Sequence, residues 1–294
     1  MRAASAPSSI EGARAIVGFA FAESLRRRVF AVVGALTVLF WVLYGLGVAF
    51  AFNEIENQGL IGGEFVDEQI LVGSTLFGLA MFATLFLGSV LAIFLTIGVV
   101  RGDAETGLLQ PLVVRPLGRG TMLVARWAGA AVAAGAYVIV VYVVALALTL
   151  AFGDWTPDHA LVPAALLALA VAIIAAVSVL ASVLMTATAQ GIAVFMFFGA
   201  GLVAGLLGQI GDAINSARLE RISDVVTYVV PFEALYQHGL HLLTSETTGV
   251  TGLAVELGPF GGAQEASAGA FAFALAYTVA VIALAIRGFE RSDL

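Results

Sequence analysis

Two histidines, His238 and His241, are the side chains whose type and spacing come nearest to a metal site. They lie three residues apart on a predicted helix, with Glu233 about one turn earlier. Two imidazoles supply only part of the usual four-ligand zinc shell, and surface helices often carry histidines that bind nothing. We therefore expect no metal site in this chain.

Nucleotide hydrolysis by this chain is excluded by its composition. A Walker A loop needs a lysine that reaches the phosphates, and the 294 residues include no lysine. The hydrolase motifs H-E-x-x-H and G-x-S-x-G are also missing, and there is no cysteine for thiol chemistry. We predict that the chain is not an enzyme and holds no cofactor of its own.

The composition favours a membrane as the solvent of this chain. Hydrophobic residues make up 61% and charged residues 11%, whereas about a quarter of the residues of a soluble domain are charged. Six apolar runs reach the roughly 20 residues that cross a bilayer, and none contains a charged residue or a histidine. The sequence predicts an all-α polytopic membrane protein with a single domain over residues 1–294. The six predicted transmembrane spans are 29–52, 71–100, 127–152, 161–187, 191–210 and 268–286.

The distribution of arginine predicts the orientation in the membrane, because basic residues near short loops stay on the cytoplasmic side. With the N-terminus inside, only Arg218 and Arg221 fall outside. We therefore predict a protein of the cell (cytoplasmic) membrane with both termini in the cytoplasm. The net charge of −7 gives no basic footprint for nucleic acid. The arginines predicted to lie inside are Arg2, Arg14, Arg26, Arg27, Arg28, Arg101, Arg115, Arg119, Arg126, Arg287 and Arg291.

Two segments outside the spans carry helical patterns. Residues 8–28 begin with a capping box of Ser8 and Glu11 and continue with apolar residues at helical spacing, which predicts an amphipathic helix on the inner membrane surface. The outer segment, 211–266, includes an apolar stretch broken by Pro231 and Glu233. It is too short to span, so we predict a re-entrant or interfacial helical segment between the fifth and sixth spans.

The inner loop, 101–126, carries the most specific pattern of the sequence. Glu105 stands two residues before Gly107, an apolar run follows, and Arg115-Pro116 precedes Arg119 by three positions. This pattern resembles the ABC-2 family of transporter permeases, and residues 23–28 and 289–294 look like the ends of that family. Residues 116–120 are somewhat similar to the permease of the transporter that matures nitrous-oxide reductase.

The resemblance implies a cytoplasmic ABC ATPase as partner, which would bind ATP and Mg²⁺, and a second permease copy in a homo- or heterodimer. A coupling loop needs apolar side chains that enter a groove of the ATPase and charged side chains at its rim. The alternative is that the arginines only follow the inside rule and extend toward phosphates. The predicted coupling residues are Glu105, Gly107, Leu108, Leu109, Leu112, Arg115, Pro116 and Arg119.

The fifth span carries a face of small residues. Gly201 and Gly205 form a G-x-x-x-G motif, and Gly208 follows on the same helix. Such a face permits close helix approach. It fits either the contact between two permeases or packing within one subunit.

Three functions remain open at this point. A permease that exports an apolar or amphipathic cargo accounts for the uncharged spans and the inner loop. An ion-coupled secondary carrier usually has ionisable residues at the membrane midplane, which the spans lack. A membrane scaffold would bind a partner and the lipid bilayer without moving a solute.

Overall fold

The computed structural model describes residues 28–58, 66–98, 119–214, 216–256 and 263–291. Within these ranges the chain forms helices and no strand, which confirms the predicted all-α fold. The described helices are α1 (Arg28–Gln58), α2 (Glu68–Thr96), α3 (Arg119–Gly153), α4 (Val162–Leu184), α5 (Ala187–Ala213), α6 (Ala217–Val229), α7 (Phe232–His241), α8 (Gly249–Glu256) and α9 (Ala268–Arg291).

Six of the described helices are long and apolar enough to cross a bilayer, namely α1 to α5 and α9. They correspond in order to the six predicted spans. Helix α3 includes the eight residues that precede the predicted third span. The predicted surface helix at 8–28 lies outside the described residues, apart from Arg28 at the start of α1.

Specific backbone and side-chain features set the ends of α2. Asp67 caps its first turn, because its carboxylate accepts from the backbone N–H groups of Gln69 at 3.0 Å and Ile70 at 3.2 Å. At the other end Ile97 is extended, and Gly98 has a φ of +69°, a left-handed conformation that favours glycine. The helix therefore ends before the predicted limit at residue 100, although the apolar sequence continues.

The turn between the fourth and fifth spans differs from the prediction. The predicted spans leave residues 188–190 as the loop between them, but the chain turns at Met185, which is extended, and α5 already begins at Ala187. Gln190 is consequently a helical residue, and it is completely buried. The polar side chain lies inside the bundle because its amide has partners there.

Helix α4 lies at the centre of the bundle, in contact with α2, α3, α5, α7 and α9. In its apolar window 67% of the residues are buried, against 28% in α1 and α9, which lie at the periphery. Small residues allow the close packing that membrane helices need. The hydrogen of Gly88, for example, points at Val138 of α3, where a methyl group would clash.

Two interhelical hydroxyl pairs attach the peripheral α1 to α3. The hydroxyl groups of Tyr44 and Thr149 are 2.6 Å apart, and those of Thr37 and Tyr137 are 2.5 Å apart. Such contacts hold helices together in a medium where apolar surface alone gives little preference for protein over lipid. We call the end of the bundle where α2 ends and α3 begins the loop end. The opposite end, where α5 ends and α6 begins, is the hairpin end.

Candidate functional site

The predicted coupling residues stand between two helices that pack against each other. Glu105, Gly107, Leu108, Leu109, Leu112, Arg115 and Pro116 lie outside the described residues, and Arg119 is the first residue of α3. Residues 99–118 therefore connect α2 to α3, two helices that pack extensively against each other. The coupling role of these residues stays a prediction.

A buried polar cluster lies where α2 leads into this loop. The Nε2 atom of Gln190 donates to the carbonyl oxygens of Thr96 and Ser178 and to the Ser178 hydroxyl, each at 3.0 Å. The hydroxyl of Thr96 lies 2.7 Å from that of Ser178. All three side chains are fully buried. The cluster joins the last turn of α2 to α4 and α5 at the loop end.

The same glutamine also binds the backbone just after α2. The N–H of Gly98 donates to Gln190 Oε1 at 3.0 Å, while the carbonyl of Thr96 accepts from Gln190 Nε2. The last carbonyl groups of a helix have no partner within it, so this amide takes the place of the missing turn. Gln190 thereby fixes both the end of α2 and the direction in which the chain leaves it.

The small face of α5 packs against the segment α6–α7 of the same chain. A methyl group on Gly201 would lie 2.6 Å from Val230 Cγ1, one on Gly208 would lie 2.6 Å from Ser223 Oγ, and one on Gly205 would clash with Glu233. This is packing within one subunit, one of the two alternatives for these three glycines. Their role between two permeases stays a prediction.

Helices α6 and α7 form a hairpin that enters the bundle without crossing it. The two helices meet at Val230 and Pro231. Next to this tip, the ring of Phe232 stacks on that of Phe198 with centroids 5.4 Å apart and an interplanar angle of 8°. Phe198 is fifteen residues before the end of α5, roughly 20 Å at 1.5 Å per residue. The tip thus lies beside the middle of α5, and the re-entrant placement of this segment in the membrane stays a prediction.

The hairpin contains a buried carboxyl group in a polar network that the sequence analysis did not predict. Glu233 is 4% exposed, and its Oε1 accepts from Gln237 Nε2 at 2.6 Å. Gln209 of α5 in turn donates to Gln237 Oε1 at 3.0 Å. Burial raises the pKa of the Glu233 carboxyl to about 7, and the hydrogen bond from Gln237 lowers it. The spacing of Glu233 and Gln237, one helical turn, is the signal that could have pointed to this network.

The two histidines of the hairpin lie close together. The rings of His238 and His241 have centroids 6.3 Å apart, and His238 Nδ1 accepts from the backbone N–H of Ala266 at 3.2 Å. Burial and the neighbouring histidine lower the pKa of His238. Over the described ranges, no group of three or more potential ligands comes together.

An apolar groove opens on the surface of the bundle between α2 and α5, next to the loop end. Its volume is about 570 Å³. Phe195, one of the aromatic residues of the fifth span, lies in its wall, whereas Phe198 is buried against Phe232. The groove is lined by Ile93, Phe94, Ile97, Thr188, Gly191, Ile192, Phe195 and Met196. Its surface suits an apolar chain and offers no charge.

Comparisons with known proteins agree with this architecture. A search of curated proteins finds none that matches the chain. The family model described as "ABC-2 family transporter protein" matches residues 14–294, which includes every described helix and the inner loop. Six membrane-crossing helices and this match over nearly the whole sequence establish that the chain is a multi-pass membrane protein of the ABC-2 transporter family, a membrane component of an ABC transporter.

Proposed function

We propose that this chain is the permease subunit of an ATP-driven exporter whose ATPase is a separate polypeptide. The family match carries the proposal, together with the absence of lysine, which leaves no Walker A loop in the sequence. The loop end then lies in the cytoplasm of the cell, since eleven of the thirteen arginines are on that side. The ATPase binds ATP and Mg²⁺ and contacts residues 101–119.

The proposed assembly contains two permeases and two ATPase subunits. In each permease Leu108, Leu109 and Leu112 enter a groove of the ATPase, and Glu105, Arg115 and Arg119 bind its rim. Closure of the ATPase pair on ATP displaces the inner loop and with it α2 and α3. The helices respond because the loop follows α2 in the chain and its last eight residues form the first turns of α3.

The cargo that fits the bundle is apolar or amphipathic. The groove between α2 and α5 has apolar walls and opens on the surface of the bundle next to the loop end, which the proposed orientation places on the cytoplasmic side. A lipid tail or a lipophilic compound can enter it, because such a cargo has no charged group that would lose its hydration. The six predicted spans contain no charged residue and so offer no partner to a charged solute.

The test is co-purification of the permease with its ATPase. A P-loop ATPase encoded next to this chain should travel with the wild-type permease, and Glu105→Gln or Arg119→Gln should weaken that complex. Arg287→Gln is the matched control, because Arg287 is an exposed arginine at the same end of the bundle. Equal retention of the ATPase by the Arg119→Gln and Arg287→Gln variants would contradict the assigned coupling surface.

The second candidate is an ion-coupled secondary carrier, and Glu233 is the observation that favours it. This carboxyl group is buried against Gly205 of α5 inside the bundle, and carriers place their proton-binding groups inside the helix bundle. In vesicles that hold the permease without ATPase, uptake of a lipophilic dye driven by a proton gradient, and lost in Glu233→Gln, would support the carrier. Uptake only with ATPase and ATP would exclude it.

A further inference from the structure

Helix α5 carries a glutamine near each end, and each glutamine joins it to a different part of the molecule. Near the loop end Gln190 binds the backbone that leads into the inner loop. Near the hairpin end Gln209 binds Gln237 of α7. The two residues are nineteen positions apart, about 28 Å along an α-helix. One uninterrupted helix therefore links the loop to the hairpin across most of the bilayer.

At the loop end, Gln190 binds the residues at which the chain leaves α2. Gln190 binds one backbone group before the exit and one after it, so the start of the loop cannot move away from α5 while these hydrogen bonds persist. Its bond to Ser178 includes α4 in the same unit. The groups that Gln190 binds have few alternative hydrogen-bond partners, since lipid offers no hydrogen bonds.

The contacts at the hairpin end are equally close. Over two turns of α5, Gly201, Gly205 and Gly208 leave no space between the helix and the hairpin. The hairpin is also joined to the connection before α4, because the backbone N–H groups of Asp158 and His159 donate to carbonyls at 242–243. Helices α4 to α7 therefore form one packed body.

We propose that Gln190 is the positioning residue that couples α5 to the start of the inner loop, and that α5 transmits the movement of the loop to the α6–α7 hairpin. This inference rests on the proposed function, because the movement originates in the partner ATPase. Without the amide, α4 would still follow α2 and α3 through their packing, but the direct link from the exit of α2 to α5 would be lost, so α5 and the hairpin would move less. ATP would then be hydrolysed with a smaller opening of the hairpin end.

The experiment measures the hairpin directly in the complete complex with its ATPase. The native chain has no cysteine, so cysteines introduced at Phe50 of α1 and Val225 of α6, which are 73% and 65% exposed, accept spin labels without background. Pulsed electron paramagnetic resonance then gives the distance between the labels with and without trapped ATP. We expect ATP to change this distance in the complex that retains Gln190.

Gln190→Met keeps the length and shape of the side chain but removes its hydrogen bonds. We expect this variant to bind the ATPase and hydrolyse ATP while the ATP-dependent change in distance is smaller than in the complex that retains Gln190. Ser182→Ala is the matched control, because Ser182 is fully buried on α4 near the same end and its hydroxyl bonds only within its own helix. The control should retain the change.

The outcomes separate the inference from the proposed function. An unreduced change in distance in Gln190→Met, or the absence of any change in the complex with Gln190 intact, overturns the inference while the permease assignment stands. Failure of the ATPase to bind the unmodified chain refutes the proposed function instead. Should Gln190→Met not fold, Ser178→Ala removes one partner of the amide, and an unreduced change in that variant also overturns the inference.

Discussion

Replacing Gly205 by alanine tests the contact between α5 and the hairpin most sharply. The added methyl group would clash with Glu233 Oε1 and lie 2.7 Å from Gln237 Nε2, so either the hairpin moves outward or the buried hydrogen bond between these side chains breaks. Overpacking of this kind destabilises by about 1–3 kcal/mol. Alanine is also the better helix former, by up to about 1 kcal/mol, and that gain must be separated from the clash.

Gly199→Ala on the same helix is the control that separates the gain in helix propensity from the clash. Apart from the backbone of the helix itself, no atom of the described residues lies within 4 Å of a methyl group at that position, so the variant has the gain in helix propensity without the clash. The difference between the two variants therefore isolates the packing term, and we expect Gly205→Ala to be less stable than Gly199→Ala by about 1–3 kcal/mol. The free energy of unfolding, measured by SDS titration in mixed micelles, gives this difference. Equal stabilities would refute the hairpin packing described above.

Two further predictions concern buried polar groups. Folding raises the pKa of Glu233 from 4.5 to about 7, so the free energy of unfolding should be highest at low pH, fall as the pH rises between these two values and stay constant above them. Glu233→Gln should remove this fall in unfolding titrations at pH 4 to 8. A fall that persists in the variant would assign the pH dependence to another group. Tyr44→Phe removes the hydrogen bond to Thr149. The free energy of unfolding should then decrease by about 0.6 kcal/mol, the usual value for such a bond between membrane helices. An unchanged free energy of unfolding would show that this bond does not hold α1 against α3.

The number of spans and the fold class could be predicted because a bilayer imposes simple rules. A helix must be about 20 apolar residues long and must satisfy its own backbone, and both conditions can be read from local sequence. The helix ends could not be predicted as well. Gln190 looks like a loop residue by polarity, and it lies inside α5 only because α2 and α4, distant in sequence, bring acceptors to its amide.

The hairpin shows the same limit at the other end of the bundle. Pro231 predicts the break between α6 and α7, and the glycines of the fifth span predict a close approach of some partner. Neither pattern identifies that partner as the hairpin itself, since the pairing of Gly205 with Glu233 depends on the path of the chain between residues 214 and 230. Local sequence therefore indicates which surfaces pack closely, and tertiary structure decides against what.

The central claim is that this chain has no energy source of its own and works only with an ATPase. Its most direct test is the transfer of a lipophilic dye across proteoliposomes that contain the permease alone or the permease with its ATPase, each with a proton gradient, ATP or neither. We expect the dye to accumulate in the proteoliposomes only with both proteins and ATP. Accumulation by the permease alone, driven by the proton gradient, would contradict it.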